Sequence, residues 1–488
     1  MSIILCDFMD PIWIDIFQKS FPQKTKKIFI DDDNFLTSLK SKNKKYHKFL
    51  LKNYCRRNLY YSNKISPPHH KKKFFKRFYE ISRSMIKRYD PYNDISKKEF
   101  DILFNGTVNF WLKFLKHHKV KLFMCKTSPH QFYDYIIYAC CKMLKIKTSF
   151  FCLTYLKDRI FLINDVDCRE IKIPKSFKNK KKLNYNKEIN YLISKIKGDY
   201  KISKPKYIRD EKNNFFKILF LYNLNILKII FYFFSKKKRS EVEYKNKKYF
   251  YNSRNYFFSR FDMSLYQSRS LLKKLFLNIL YFYYSFKFKI PKKFIYFAAQ
   301  FQPEATSCPD GGMYNDNVKL LKNLRKKIPK DVSIVYKEHP AIFNPNPNLS
   351  GDICRSHSYY KNLSEIKNLF FADLNYDSFE LMDKSIFCVT VAGQLGFESS
   401  IRNNFCAIFT NTWYKNFPKI LYVKKLAEIS KIYNKIAKNK KKLFLENKVS
   451  NYLDYFLKKS LKTNICNDNY MYDSEDIVKI SNYLKNSL

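Results

Sequence analysis

Five of the chain's seven glycines, Gly311, Gly312, Gly351, Gly393 and Gly396, fall within one stretch of under a hundred residues in a 488-residue sequence. Glycine is the residue of tight turns and of close backbone approach, so the cluster marks where the chain must do one or the other. The same stretch carries Tyr336-Lys337-Glu338-His339-Pro340 at the end of one apolar run and Ala392-Gly393-Gln394-Leu395-Gly396-Phe397-Glu398-Ser399-Ser400 at the end of another. Together these features predict a nucleotide-binding domain.

Around that stretch, apolar runs alternate with amphipathic ones. The pattern predicts strand 294–299, helix 314–327, strands 332–336 and 368–371, helix 378–384, strand 385–391, helix 397–403 and strand 405–410. Asp377-Ser378-Phe379-Glu380 has the spacing of a capping box. The expected fold is α/β and doubly wound, and in such domains ligands sit beyond the carboxyl ends of the strands, where both motifs fall. Earlier in the chain, strand 120–126, a helix from Ser128 and Pro129 to about Leu144, and strand 147–153 form a β-α-β unit, with Ser128 as the expected N-cap.

Length exceeds what one core can serve, and a 45% hydrophobic composition suffices for two. The expected organisation is an N-terminal Rossmann-like lobe over 1–190, a helical aromatic and basic linker over 191–290, a second Rossmann-like lobe over 291–425 and a helical tail over 426–488. Within the linker, Phe215 to Phe234 has the length of a membrane span but contains Lys217, Asn223, Asn225 and Lys228. At 100° per residue Asn214, Lys217, Asn225 and Lys228 share one arc, which suits an interfacial helix better than a spanning one. Lys236-Lys237-Lys238-Arg239 follows, and 271–290 repeats the mixture of aromatic residues and lysine. Two readings fit the linker: helices lying on an anionic leaflet, or an aromatic helical hairpin packed on the lobes.

The net charge of +52 would ordinarily point to nucleic acid or to an anionic membrane. Lys, Asn, Ile, Phe and Tyr are abundant together, as an AT-rich coding sequence imposes, and lysine greatly outnumbers arginine, the residue that base readout favours. Attraction to anionic lipid survives that objection, and specific nucleic-acid binding is not expected. The twelve cysteines include no Cys-x-x-Cys, the usage of small buried hydrophobes in a reducing compartment. Met1 to Pro11 carries Asp7 and Asp10 and lacks the basic-then-apolar order of a secretory signal. A cytoplasmic location is expected, peripheral at the inner face of the cell membrane.

Several residues can carry chemistry. The Gly393 to Gly396 loop and the helix after it can offer N-H groups to a phosphate, with Ser399 and Ser400 adding hydroxyls and Glu398 accepting from a ribose diol. The alternative for this loop is a tight strand-to-helix turn. Lys337 and His339, at a strand's carboxyl end, can neutralise a departing phosphate. His130 and Asp134 lie four apart and share a helix face, the arrangement of a general base with its orienting carboxylate, or of a local hydrogen bond. Gln302, Glu304 and Asp310 add acid and amide candidates, for which turn chemistry is the alternative. Asp165-Val166-Asp167 and Asp31-Asp32-Asp33 could hold a divalent cation, but neither requires the second α/β domain, so no metal and no cofactor is expected.

These residues resemble the capsule polysaccharide synthesis family, bacterial glycosyltransferases of GT-B architecture related to the Kdo transferases of capsule export systems. The resemblance is carried by Ser128-Pro129-His130 with Asp134, Gln302-Pro303-Glu304-Ala305-Thr306, Lys337-Glu338-His339-Pro340 and Gly393-Gln394-Leu395-Gly396-Phe397-Glu398. It covers roughly 290–415 and 120–155. It implies a nucleotide-sugar donor, often CMP-linked, held by the second lobe, and a surface polysaccharide or lipid-linked glycan acceptor entering from the first. His130, oriented by Asp134, is then the base, a role that belongs to an inverting reaction. Similar His-Pro motifs occur in CDP-glycerol glycerophosphotransferases, so a polyol-phosphate transferase is the second reading. A non-catalytic basic protein binding lipid or RNA is the third.

Overall fold

The computed structural model describes residues 2–6, 12–20, 27–30, 46–47, 67–88, 95–156, 158–172, 174, 187–200, 214–234, 260–346, 351–438, 446–463 and 474–487. The runs Asp31 to Asp33, Lys180 to Lys182 and Lys236 to Arg239 lie outside them. The chain is an α/β protein of two compact units, each built on a largely parallel sheet. The first comprises Met1–Ile86, Ile95–Arg169 and Tyr455–Leu488, and the second Lys87–Asp94 and Glu170–Asp454.

In the first unit, β1 (Ser2–Cys6), β2 (Lys27–Ile30), β3 (Tyr46–His47), β4 (Val120–Cys125) and β5 (Lys147–Leu153) are parallel, in the spatial order 3-2-1-4-5. The run at 160–163 forms β6 (Arg159–Ile163), which turns back antiparallel on β5. β13 (Leu461–Lys462) then adds to its far edge. The 426–488 segment is therefore not a separate tail. Its last part returns to the first unit, where the helix Ser474–Ser487 packs on Ile12–Ser20 and the Ser481 hydroxyl donates to the Ile16 carbonyl at 3.1 Å. The boundary between units falls at 169/170 rather than at 190.

The second unit carries the predicted alternation almost element for element. β7 (Phe294–Ala298), β8 (Ser333–Lys337), β9 (Leu369–Phe371), β10 (Cys388–Thr390), β11 (Cys406–Ile408) and β12 (Ile420–Tyr422) are all parallel. Their spatial order, β12-β11-β10-β7-β8-β9, is the doubly wound 3-2-1-4-5-6 read from the other edge. β8 is buried along its whole length, as a strand covered on both faces must be. Phe297 stacks on Tyr336 across the β7–β8 pair, with ring centroids 5.9 Å apart. The helix Ser378–Lys384 begins where expected: Asp377 accepts from the N-H groups of Phe379 and Glu380 at 2.7 and 3.1 Å. Glu380 does not complete the box, because its carboxylate takes Lys384 and Tyr376 instead.

The register matters for function. Ala298 pairs with Lys337, and Phe297 with Val389 one residue before Thr390, so β7, β8 and β10 end level with one another. The chain leaves β7 toward β8 on one side and returns to β10 on the other. The loops after β7 and β10 therefore diverge at this edge and leave a crevice.

Most described cysteines are buried, including Cys125, Cys140, Cys388 and Cys406, in line with their reading as small hydrophobes. The linker segments form two long helices, Asn214–Phe234 and Arg260–Ser285, packed on each other within the second unit. No helix among the described residues is long and apolar enough to cross a membrane.

Candidate functional site

A cleft of about 240 Å³ opens at the switch point, beyond the carboxyl ends of β7, β10 and β8. Its polar lining comes from Gln300, Glu304, Lys337, His339, Ser378 and Glu398, and its apolar wall from Tyr200, Phe301, Phe379 and Leu395. Of the candidates in this unit, Glu304, Lys337, His339, Gly393 and Glu398 come together here. An apolar cleft with a few convergent polar groups is the usual form of a small-molecule site.

Glu398 is the acid of the cleft whose carboxyl is raised. Burial raises its carboxyl to about 7, against the opposing pull of the Arg402 guanidinium. Arg402 is itself held by Asp383, at 2.9 and 2.5 Å, and by the Ile196 carbonyl at 2.7 Å.

His339 contributes differently from the expectation. Burial lowers its imidazole to about 4, with Glu338 opposing and Arg355 and Lys337 reinforcing the fall. Its Nδ1 accepts the Ala341 N-H at 3.2 Å, which places the proton of the neutral ring on Nε2. His339 thus offers a neutral N-H donor rather than a positive charge. Lys337 is also engaged: its ammonium donates to the Tyr376 carbonyl at 2.5 Å and the Ser378 hydroxyl at 2.8 Å, and lies 5.4 Å from the centre of the Tyr200 ring.

The glycine loop departs from expectation as well. The helix starts at Leu395, two residues before Phe397, and is only seven residues long. With its amide oxygen turned toward the loop, Gln300 accepts from the N-H groups of Ala392 at 3.2 Å and Gly393 at 3.0 Å, and Thr390 Oγ1 also accepts from Gly393. Gly396 has a packing reason to be glycine, since a Cβ there would meet the Tyr414 ring at 2.6 Å. Ser399 and Ser400 do not line the cleft. They are buried, with hydroxyls donated to the Asn404 carbonyl at 3.2 Å and the Pro418 carbonyl at 2.6 Å.

Beside the cleft stands a buried polar network that the motif did not announce. The Arg355 guanidinium clasps Glu338 bidentately at 2.6 and 2.9 Å, with both side chains fully shielded from water. Tyr336 and Tyr360 donate to the same carboxylate at 2.7 and 2.9 Å, and the His339 N-H at 2.9 Å. Arg355 reaches on to Gln302 Oε1 at 2.7 Å, and Gln302 donates to the Asn315 carbonyl at 2.8 Å. Gln302 and Glu338 are therefore framework for the loops that carry Glu304 and His339. Asp310 lies in the turn after Glu304, its N-H donated to the Ala305 carbonyl at 3.0 Å.

His130 and Asp134 belong to the first unit. The helix there is Phe132–Met143, so Ser128 is not its N-cap. The His130 imidazole donates from Nδ1 to the Ser128 carbonyl at 2.9 Å, and Asp134 Oδ2 accepts the His130 backbone N-H at 3.3 Å. A ring anchored through Nδ1-H keeps its Nε2 lone pair, the form a base requires, with Ser128 as its orienting partner. The Asp-x-Asp run is explained by ion pairs. Asp165 takes Lys142 at 2.6 Å and Tyr138 at 2.8 Å, and Asp167 takes Arg77 at 2.5 and 2.6 Å.

The second unit is thus a doubly wound domain with an open crevice at its switch point, a class of fold that holds nucleotides. No family profile matches the chain, and no curated protein sequence is similar to it. Among solved structures, UDP-GlcNAc 2-epimerase from Methanocaldococcus jannaschii is 14% identical, with 94% of this chain and 99% of that one covered and a TM-score of 0.23. KpsC of Thermosulfurimonas dismutans, a beta Kdo 2,7 transferase, is 11% identical, with 99% of each chain covered and a TM-score of 0.31. A glycosyltransferase from Rickettsia africae is 11% identical, with 100% and 99% covered and a TM-score of 0.25.

Proposed function

We propose that the protein is a glycosyltransferase that moves a sugar from a nucleotide donor to a surface polysaccharide or lipid-linked glycan, acting peripherally at the inner face of the cell membrane. The observation that carries this reading is the switch-point cleft, in which a raised-pKa carboxyl and a neutral imidazole N-H line the edge where β7, β8 and β10 end. Glu398 accepts from the ribose diol and His339 donates to a phosphate oxygen from Nε2. In the first unit His130, anchored by Ser128, is the acceptor-activating base of an inverting transfer.

Thermal unfolding in the presence of CMP, CDP, UDP and GDP tests the donor site. The preferred nucleotide at a hundred times its dissociation constant should stabilise the protein by about 2.7 kcal/mol. No shift with any of the four sinks the reading. Transfer should also persist in EDTA, because the Asp165 and Asp167 carboxylates are committed to Lys142 and Arg77. Activity lost in EDTA and restored by Mg²⁺ would return that pair to consideration as cation ligands.

A further inference from the structure

The helix Asn214–Phe234 is inside out for a protein surrounded by water. The side it turns into the hairpin holds Ile218 and Asn225, and the buried Asn225 Oδ1 has no hydrogen-bond partner among the described residues. The opposite side presents Phe216, Phe220, Leu227 and Phe231, which are 72%, 67%, 64% and 69% exposed. At 100° per residue these four fall in one arc, with the exposed Lys217 and Lys228 together along one margin. The partner helix Arg260–Ser285 repeats the arrangement. Phe276, Ile279 and Tyr283 form an exposed stripe at helical spacing, and the exposed Lys287 and Lys289 follow its end.

Single exposed apolar residues need no explanation, but two stripes of large ones on adjacent helices exceed that scatter. Their covering must be apolar at the centre and anionic at the edge, because lysines border both stripes. We propose that the hairpin is a membrane-docking surface: the Asn214–Phe234 helix lies in the plane of an anionic leaflet, its phenylalanines at the acyl boundary and Lys217 and Lys228 among the headgroups. Charge selects this occupant over a second copy of the chain. Two chains of net charge +52 meeting on lysine-bordered faces repel each other, whereas anionic lipid attracts each of them.

This surface deepens the peripheral part of the transferase reading, and its test uses lipid alone, so it can fail while nucleotide binding stands. The full chain is sedimented with vesicles of phosphatidylcholine with and without phosphatidylglycerol. It should bind the anionic vesicles at low salt, bind neutral ones poorly, and be largely released at high salt. Each of Lys217→Gln and Lys228→Gln should lower the partition about fivefold. The triple variant Phe220→Ser, Leu227→Ser and Phe231→Ser keeps the charge and should lower the partition at physiological salt by at least about tenfold while keeping the wild-type melting temperature, since all three side chains are exposed. Wild type that stays in solution at low salt, or a triple variant that partitions like wild type at physiological salt, overturns the proposal. So does a lipid-free dimer that the triple variant converts to monomer, which would make the face a subunit interface. Resistance to both salt and carbonate extraction would mean that the segment spans the bilayer.

Discussion

Replacing Arg355 with methionine should destabilise the second unit by about 3–5 kcal/mol, the usual cost of leaving a buried carboxylate without its cation. For a unit of about 290 residues that is a fall in melting temperature of about 5–8 °C. Burial alone would raise the Glu338 carboxyl. The Arg355 charge and hydrogen bonds outweigh it, joined by Tyr336 and the His339 N-H, and the net direction is downward. A carboxyl lowered on folding contributes stability above its unfolded value and loses that contribution as the pH falls through its folded value. Removing Arg355 therefore does its greatest damage at neutral pH. The double variant Arg355→Met, Glu338→Gln should recover much of the loss, because no charge then remains in the apolar site. Differential scanning calorimetry of the three proteins distinguishes the outcomes. A single variant melting within about a degree of wild type would show that the network is not what fixes the loops beside the cleft.

That network also marks the limit of what the sequence discloses. Strands such as β8 and β7 were legible because their apolar runs are short, β-branched or aromatic, and bounded by lysine and proline, and because both faces of a parallel strand are buried. The helix Ser378–Lys384 was legible through its Asp377 cap. Arg355 was not, since nothing in Cys354-Arg355-Ser356 distinguishes it from a surface arginine until the chain folds and brings it against a strand-end glutamate seventeen residues earlier. Long-range pairing hid the antiparallel turn of β6 and the return of β13 in the same way: a strand's apolar pattern states that it is covered, not which neighbour covers it. In the site, the motif positions were legible and the roles shifted. Ser399 and Ser400 read as donors to a ligand because their type allows it, whereas the structure turns both hydroxyls to backbone carbonyls. Lys337 and His339 read as two positive charges. Burial makes one a neutral donor, and the other holds the Tyr376 and Ser378 oxygens.

Nucleotide binding should weaken as the pH falls below about 7, by up to about tenfold per unit, and Glu398 is the reason. Its carboxyl is raised by burial to about 7 from an ordinary 4.5. Without ligand, that shift favours the folded state at low pH and the contribution is lost as the pH rises through about 7. A ribose diol donating to the carboxylate works in the opposite sense, since it needs the ionised form, so binding near neutrality must release a proton. Calorimetric titration in buffers of differing ionisation enthalpy reads that proton directly. Glu398→Gln should bind about 10- to 100-fold more weakly at high pH, the loss expected for a hydrogen bond to a charged group, and should show no pH dependence through neutrality. His339→Ala makes the contrast. The ring is neutral at every pH above about 4, so its removal should lower affinity about fivefold while leaving the slope through pH 7 intact. If the slope instead disappears in His339→Ala and survives in Glu398→Gln, the titrating group of the cleft is the imidazole. Binding that weakens on protonation would still need the neutral ring in the bound state, so the Ala341 contact would stand, and what would fail is the placing of the imidazole's titration near about 4 rather than near about 7.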